Sequence, residues 1–284
     1  MTLLTYQVFQ TAANIGSFHK AADILGLTPS AISHTISSME RELGFNVLTR
    51  SKSGITLTNY GEHLLPYVNA VLNSEESLQQ AIAEFNGLKQ GKVKIAVFSS
   101  VCTNWLPDIL RSFEKQFSKI TIEVFQGTYD DVYYWIKNGV ADLGFLSVSS
   151  AKDIPIEPLY KDPLLCVLPK GARKDADRPY MDIEEMRAHQ FVTQRECTDA
   201  DIQNFLKENS LRIQSNYHVV DDLSTIALVA KGFGICLMPE LVMRDIPYQV
   251  DCYPVYPQTC RIIGIAALHP EFMAPAVRTF YNHI

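Results

Sequence analysis

What most constrains this chain is the stretch from Ser17 to Leu43, SFHKAADILGLTPSAISHTISSMEREL. It reads as two short amphipathic helices joined by a tight turn. In the second, Thr28 suits the N-cap, because its hydroxyl can accept an orphan backbone N–H at N2 or N3. Pro29 then falls at N1, where a missing N–H costs nothing. Ile32, Ile36, Met39 and Leu43 recur at i, i+4, i+7 and i+11 and make one apolar stripe. Ser30, Ser33, His34, Ser37 and Arg41 lie opposite, and Gly44 suits the C′ position. The first helix starts near Ser17, buries Ala21, Ala22 and Leu25, and ends at Gly26. Its small alanines permit close helix approach. The spacing predicts a helix-turn-helix whose second helix carries its polar face outward. A plain surface helix with outward serines fits the same spacing, so the residues after the motif bear on the choice. Arg50 and Lys52 sit in RSKSGITLT, residues 50–58, a short basic hairpin suited to phosphate contact.

Motif and wing together carry a family resemblance. Phe9, Gly16-Ser17-Phe18, Ala21-Ala22, Leu25, the run TPSAIS from Thr28 to Ser33, Ile36, Glu40, Leu43-Gly44, Val47, Arg50, Leu57-Thr58 and Gly61 succeed one another as in the LysR-type transcriptional regulators. The N-terminal stretch resembles that family. Leu48 departs from its usual Phe, and Ser53 stands where a second wing arginine is common. The resemblance implies double-stranded DNA as partner and a winged helix-turn-helix over residues 1–58. Base reading is expected from Ser30, Ser33, His34 and Ser37, and phosphate contact from Thr28, Arg50 and Lys52.

A long helix is expected from about Thr58 to Lys89, with 59–89 as a linker. Leu64, Leu65, Val68, Val71, Leu72, Leu78, Ile82 and Phe85 keep a near-heptad apolar seam, and Pro66 removes one helical hydrogen bond and is expected to bend it. Little nearby sequence can cover so long a seam. That favours pairing with a second chain, as in the linker helix through which LysR-type regulators form homodimers or homotetramers.

After the glycine-flanked break at Gly87–Gly91, strands and helices alternate, which predicts an α/β domain with a mainly parallel sheet. A helix is expected over Thr103–Phe117. Residues 92–284 divide into subdomain I (92–158 with 268–284) and subdomain II (163–265), with crossings near Pro158–Asp162 and Ala266–His269. This resembles the family's effector-binding domain, itself like periplasmic solute-binding proteins. GVADLG at 139–144 and LVAKGFGICLMP at 228–239 fit its pattern.

Ligands in open α/β sheets bind outside the carboxyl ends of the strands. Ser99-Ser100 and Gly127-Thr128 each close a strand just before a helix, and Thr193 through Cys197 and Thr198 hold the equivalent place in subdomain II. Hydroxyls and N–H groups at several helix starts suit an anion, although each Ser or Thr taken singly fits an ordinary N-cap. The resemblance supports Ser99, Ser100, Thr128 and Thr193 as contacts to a small, carboxylate-bearing effector. Cys197 joins them: it lies beside Arg195 at a helix start, and both features lower a thiol pKa. The corresponding region holds the reactive cysteine of peroxide-sensing members. No second cysteine comes soon after it, and Asp199 and Asp201 oppose thiolate formation.

The chain has 284 residues and a formal net charge of −6, which does not advertise nucleic-acid binding. Residues 1–58 hold four basic groups against three acidic ones, a net of +1. The case for DNA therefore rests on geometry and resemblance. No basic n-region with an apolar run behind it opens the chain, and no run is long enough for a membrane span, so a cytoplasmic protein without membrane contact is expected. The six cysteines show no finger spacing and the seven histidines no metal spacing. No GxSxG, P-loop or dinucleotide fingerprint is present, so neither enzyme activity, cofactor nor metal is expected. Two other readings stay open: a solute-binding module whose N-terminal helices only mediate assembly, and a cysteine-based redox-sensing regulator.

Overall fold

The computed structural model describes residues 1–51, 54–86, 90–173, 178–194, 199–213 and 215–284. The N-terminal module holds α1 (Leu3–Ile15), α2 (Phe18–Leu25) and α3 (Pro29–Leu43), then the hairpin β1 (Leu48–Ser51) and β2 (Gly54–Leu57). The caps fall where side-chain chemistry places them. The hydroxyls of Thr2, Ser17 and Thr28 accept from Thr5, Lys20 and Ala31, and each helix ends on a left-handed glycine, Gly16, Gly26 or Gly44. Val8, Phe9, Ala12, Ala21, Ala22, Ile32, Ile36 and Met39 form the buried centre. Glu40 accepts the backbone N–H of Val47 and Leu48 and so fixes the path from α3 into the hairpin.

α4 (Asn59–Phe85), capped by Thr58, runs unbroken through Pro66. Its predicted seam divides in two. Leu65 and Val68 are buried in the N-terminal core, with Leu64 and Leu72 packed against it. Further along, Val71, Leu78, Ile82 and Phe85 are exposed, Phe85 at 91%. The start of α4 sits so close to the hairpin that a Cβ on Gly61 would lie 2.1 Å from the Val47 carbonyl oxygen.

The C-terminal domain contains β3 (Gly91–Phe98), α5 (Ser99–Asn104), α6 (Leu106–Gln116), β4 (Ile120–Gly127), α7 (Tyr129–Lys137), β5 (Leu143–Ser147), β6 (Ile156–Pro169), β7 (Met181–Asp182), α8 (Ile183–Arg187), β8 (Thr193–Gln194), α9 (Ala200–Glu208), β9 (His218–Val219), α10 (Asp222–Ala230), β10 (Cys236–Pro239), β11 (Val250–Tyr256), β12 (Cys260–Ala266) and α11 (Pro275–Tyr281). The main sheet runs β4-β3-β5-β12-β6-β11-β7, with β10 also on β6. The fourteen-residue β6 belongs to both lobes: Ile156 to Pro163 pair with β12, and Leu164 to Pro169 pair with β10 and β11.

Three expectations are corrected here. The sheet is mixed rather than mainly parallel, because β12 and the second half of β6 run antiparallel to their neighbours. The return to the first lobe comes before β12, not at Ala266–His269. Ile263, Ile265 and Ala266 lie in the first core beside Ile95, Leu143 and Phe145, and apolar alternation alone cannot tell which sheet a strand joins. Finally, the helix expected over Thr103–Phe117 starts at Ser99 and breaks at Trp105, giving α5 and α6.

Polar groups on α4 tie the module to this domain. Gln10 donates to the side chain of buried Asn69 (2.6 Å), and Asn69 donates to the Asn138 carbonyl (2.6 Å). Asn73 bonds the Gly139 carbonyl at 2.9 Å, and Gln80 accepts from the Ala276 N–H. Among the described residues no helix is long and apolar enough to cross a membrane, and no group of His, Cys, Asp or Glu could hold a metal ion.

Candidate functional site

Two surfaces carry the chemistry. On α3, Ser30 and His34 are exposed while Ser33 and Ser37 are half-buried, all on the face opposite the Ile32–Ile36–Met39 stripe. Arg50 reaches this face from β1. Its guanidinium donates to Ser33 Oγ at 3.1 Å and Ser37 Oγ at 3.4 Å and stacks 4.8 Å from the centre of the Phe18 ring. Thr28 Oγ1 lies 3.0 Å from Ser30 Oγ besides capping α3. Thr28, Ser30, Ser33, His34, Ser37 and Arg50 are thus gathered on one side of the module. Lys52 lies outside the described residues. The sequence offered Phe18 only as part of the Gly16-Ser17-Phe18 match to the family and gave it no place on this face.

The second surface is a cavity of about 260 Å³ between the two lobes. The first lobe lines it with Phe98, Ser99, Ser100, Gln126, Gly127, Thr128, Tyr129 and Asp131, the second with Asp199, Val220, Asp221, Asp222 and Val242. Behind it lies Arg261 of β12, 4% exposed. Its Nε donates to Asp162 at 2.7 Å, and its terminal nitrogens donate to the Tyr129 hydroxyl at 2.8 Å and to Ser100 Oγ at 2.6 Å. Asp162 is fully buried and also accepts the Leu241 N–H. A charge removed from water needs such a matched set. Burial pushes the Tyr129 phenol well up, against the lowering pull of Arg261.

Asp199 faces the same guanidinium at 3.9 Å while capping α9 through the N–H groups of Asp201 and Ile202. Burial raises its carboxyl to about 6 even though Arg261 opposes the shift. Asp201 in turn accepts from Ser147 Oγ of the first lobe at 2.6 Å.

The expected effector contacts are not all brought together. Ser99 is exposed and lines the cavity. Ser100 lines it too, but its oxygen is held by Arg261. Thr128 caps α7 in a reciprocal pair with Asp131, whose carboxylate accepts both the Thr128 hydroxyl at 2.7 Å and its N–H at 2.9 Å. Thr193 lies elsewhere: its hydroxyl sits 3.3 Å from the Tyr217 carbonyl and lines neighbouring hollows. Register explains this, since β8 pairs with β9 and stands off the main sheet. Cys197 and Thr198 lie outside the described residues, and α9 begins at Ala200 with Asp199 as its cap.

Arg261, Asp162, Tyr129 and the three second-lobe aspartates were not legible as site residues in the sequence. One signal was present: a lone arginine opening the apolar run RIIGIAA, residues 261–267.

Comparison with known proteins covers both parts of the chain. Residues 3–62 match the model described as "Bacterial regulatory helix-turn-helix protein, lysR family", and residues 86–284 match "LysR substrate binding domain". A probable HTH-type transcriptional regulator, LrrA of Synechococcus elongatus, is 26% identical over 284 residues, 99% of this chain and 96% of the relative. A full-length OxyR variant from Pseudomonas aeruginosa superposes with a TM-score of 0.79 at 18% identity, covering 100% of this chain and 93% of its own. The effector binding domain of QuiR in complex with shikimate gives 0.59 at 22% identity, over 68% of this chain and 95% of its own.

Proposed function

The chain belongs to the LysR family of DNA-binding transcriptional regulators, and on that premise we propose which of its groups do the binding. α3 enters the major groove, where Ser30, Ser33, His34 and Ser37 read bases and Thr28, Arg50 and Lys52 contact phosphates. The observation that supports this is the gathering of Ser33, Ser37 and Arg50 on one face of α3. Arg50→Ala should weaken binding to every duplex alike and reduce the salt slope by about one. Ser33→Ala should change sequence preference. Equal effects of the two on random DNA would overturn the division of roles.

The cavity between the lobes takes a small carboxylate-bearing effector, with Ser99 and Thr128 in direct contact and Ser100 acting through Arg261. QuiR, a neighbour in fold, holds shikimate in its effector domain. The effector selects one lobe arrangement. The change reaches α3 through α4, whose Asn69 is bonded to both sides. The exposed apolar residues at the far end of α4 pair with a second copy, giving a homodimer or homotetramer. The protein acts by binding rather than catalysis, in the cytoplasm with its DNA. A thermal shift on adding a cleft ligand, abolished by Ser99→Trp, tests the effector site; a shift that survives the substitution contradicts it.

A further inference from the structure

We infer that the first turn of α9 is a latch between the two lobes, with Ser147 as its catch, and that its release changes how the chain grips DNA, given the reading above in which the lobe arrangement governs α3. The lobes have separate cores. Leu146 and Ala151, which flank Ser147 and the 3₁₀ turn Val148–Ser150, belong to the first. Phe205 of α9 belongs to the second, with Ile202 and Leu206 packed against it. The start of α9 nevertheless reaches the first lobe. Ser147, fully buried at the end of β5, donates through Oγ to Asp201 Oδ2 at 2.6 Å. Two residues earlier, Asp199 stands 3.9 Å from Arg261 of β12. α9 also packs on the Val148–Ser150 turn. The helix thus keeps its apolar face in one lobe and docks its first turn on the other.

The lobes are also joined by an unbroken strand, since β6 pairs within both. A continuous strand can bend but not part, whereas the α9 contacts can part, which is the anatomy of a hinge with a clasp. A hydroxyl-to-carboxylate bond of this length is charge-assisted, roughly twice as strong as a neutral one. It is also reversible. Ser147 Oγ lies 3.1 Å from Ser149 Oγ within its own lobe, and Asp201 is only half-buried. On release the hydroxyl keeps a partner and the carboxylate meets water, so neither group is left unsatisfied. The Arg261–Asp162 pair, buried on both sides, has no such exit. Asp199 and Arg261 line the cavity. A ligand seated there meets one of the two contacts that close the lobes, and any preference it has for one arrangement shifts the latch.

The test is hydrogen–deuterium exchange on the full chain with nothing added, for wild type, Ser147→Ala, Asp201→Ala and the double variant. Either single substitution should speed exchange over residues 148–151 and 200–206 by about tenfold. The double variant should go no further, because both substitutions remove one and the same bond. Asp201→Asn, which keeps an acceptor for the hydroxyl, should fall between. On a duplex that the wild-type chain selects from a random pool, the variants should change affinity in the same order, by about fivefold or more for Ser147→Ala. A purely structural role for Ser147 would lower Tm and leave exchange in the other lobe as it was. Unchanged exchange over 200–206 in Ser147→Ala, or single effects that add in the double variant, overturns the latch and leaves the cleft reading intact. Faster exchange on both sides with unaltered DNA affinity overturns the regulatory role and, with it, the route from the lobes to α3.

Discussion

Arg50 and Arg261 each gather two hydroxyls and stack over a phenylalanine ring, Phe18 and Phe98, but they differ in their access to water. Arg50 holds Ser33 and Ser37 at 3.1 and 3.4 Å on an exposed face. Arg261 holds Tyr129 and Ser100 at 2.8 and 2.6 Å, with fully buried Asp162 as its counter-ion. An exposed arginine exchanges its partners at little cost, because water and salt already screen them. A buried one cannot, since any lost partner leaves charge without solvent. The first arrangement suits a surface that must trade serine oxygens for phosphate as DNA arrives. The second suits a fixed floor against which a ligand is measured.

Breaking each arginine should separate the two roles. Arg261→Met strands Asp162 and should cost about 3–5 kcal/mol in urea denaturation, with much of the loss recovered by adding Asp162→Leu. A loss under 1 kcal/mol would mean that the floor is solvated and the contrast false. The joints between the regions come next. Gly61→Ala drives a Cβ into the Val47 carbonyl and should cost roughly 1–3 kcal/mol, read as a lowered Tm. Asn69→Ala removes the amide that bonds Gln10 and the Asn138 carbonyl. It should cost about 1–3 kcal/mol and uncouple ligand binding from DNA affinity; intact coupling would show that the signal takes another route.

Asp199 sharpens the comparison through pH. Its carboxyl is raised to about 6 in the folded chain by burial, so the folded state holds this proton more tightly than the unfolded one. Its contribution is fully present below about pH 4 and is lost as pH rises through about 6. Asp199→Asn, which keeps the cap on α9, should flatten that decline and leave the variant more stable at pH 7 by on the order of 1–3 kcal/mol. An unchanged pH profile contradicts the burial argument. The smallest effect belongs to Arg50→Ala, within about 0.5 kcal/mol on stability though not on DNA binding.

The same contrast decides what the sequence could disclose. The α3 surface is local. Thr28, Pro29, the serines and Gly44 lie within seventeen residues, and each is a consequence of capping or helical spacing. Even there the stacking of Phe18 under Arg50 was not legible, because it depends on how the hairpin returns to α2. The cleft is assembled from distant parts: Arg261 meets Asp162 from 99 residues away, Tyr129 from 132 and Ser100 from 161. Ser99 and Thr128 could be located as strand ends in an α/β pattern. Thr193 obeyed the same rule and landed outside the cavity, because the rule holds for the main sheet and β8 is not in it. The seam of α4 was legible as apolar but not in its division between a core and an open face.

The most direct test is a footprint of the full chain on the DNA upstream of its own coding region, across several salt concentrations, with and without a ligand that titrates into the cleft. The account predicts a protected region of two half-sites, weakening with salt, whose pattern changes when ligand is added and stays fixed in Ser99→Trp. Sequence-specific protection that no cleft ligand alters, in a chain that demonstrably binds that ligand, would contradict the coupling of the two surfaces.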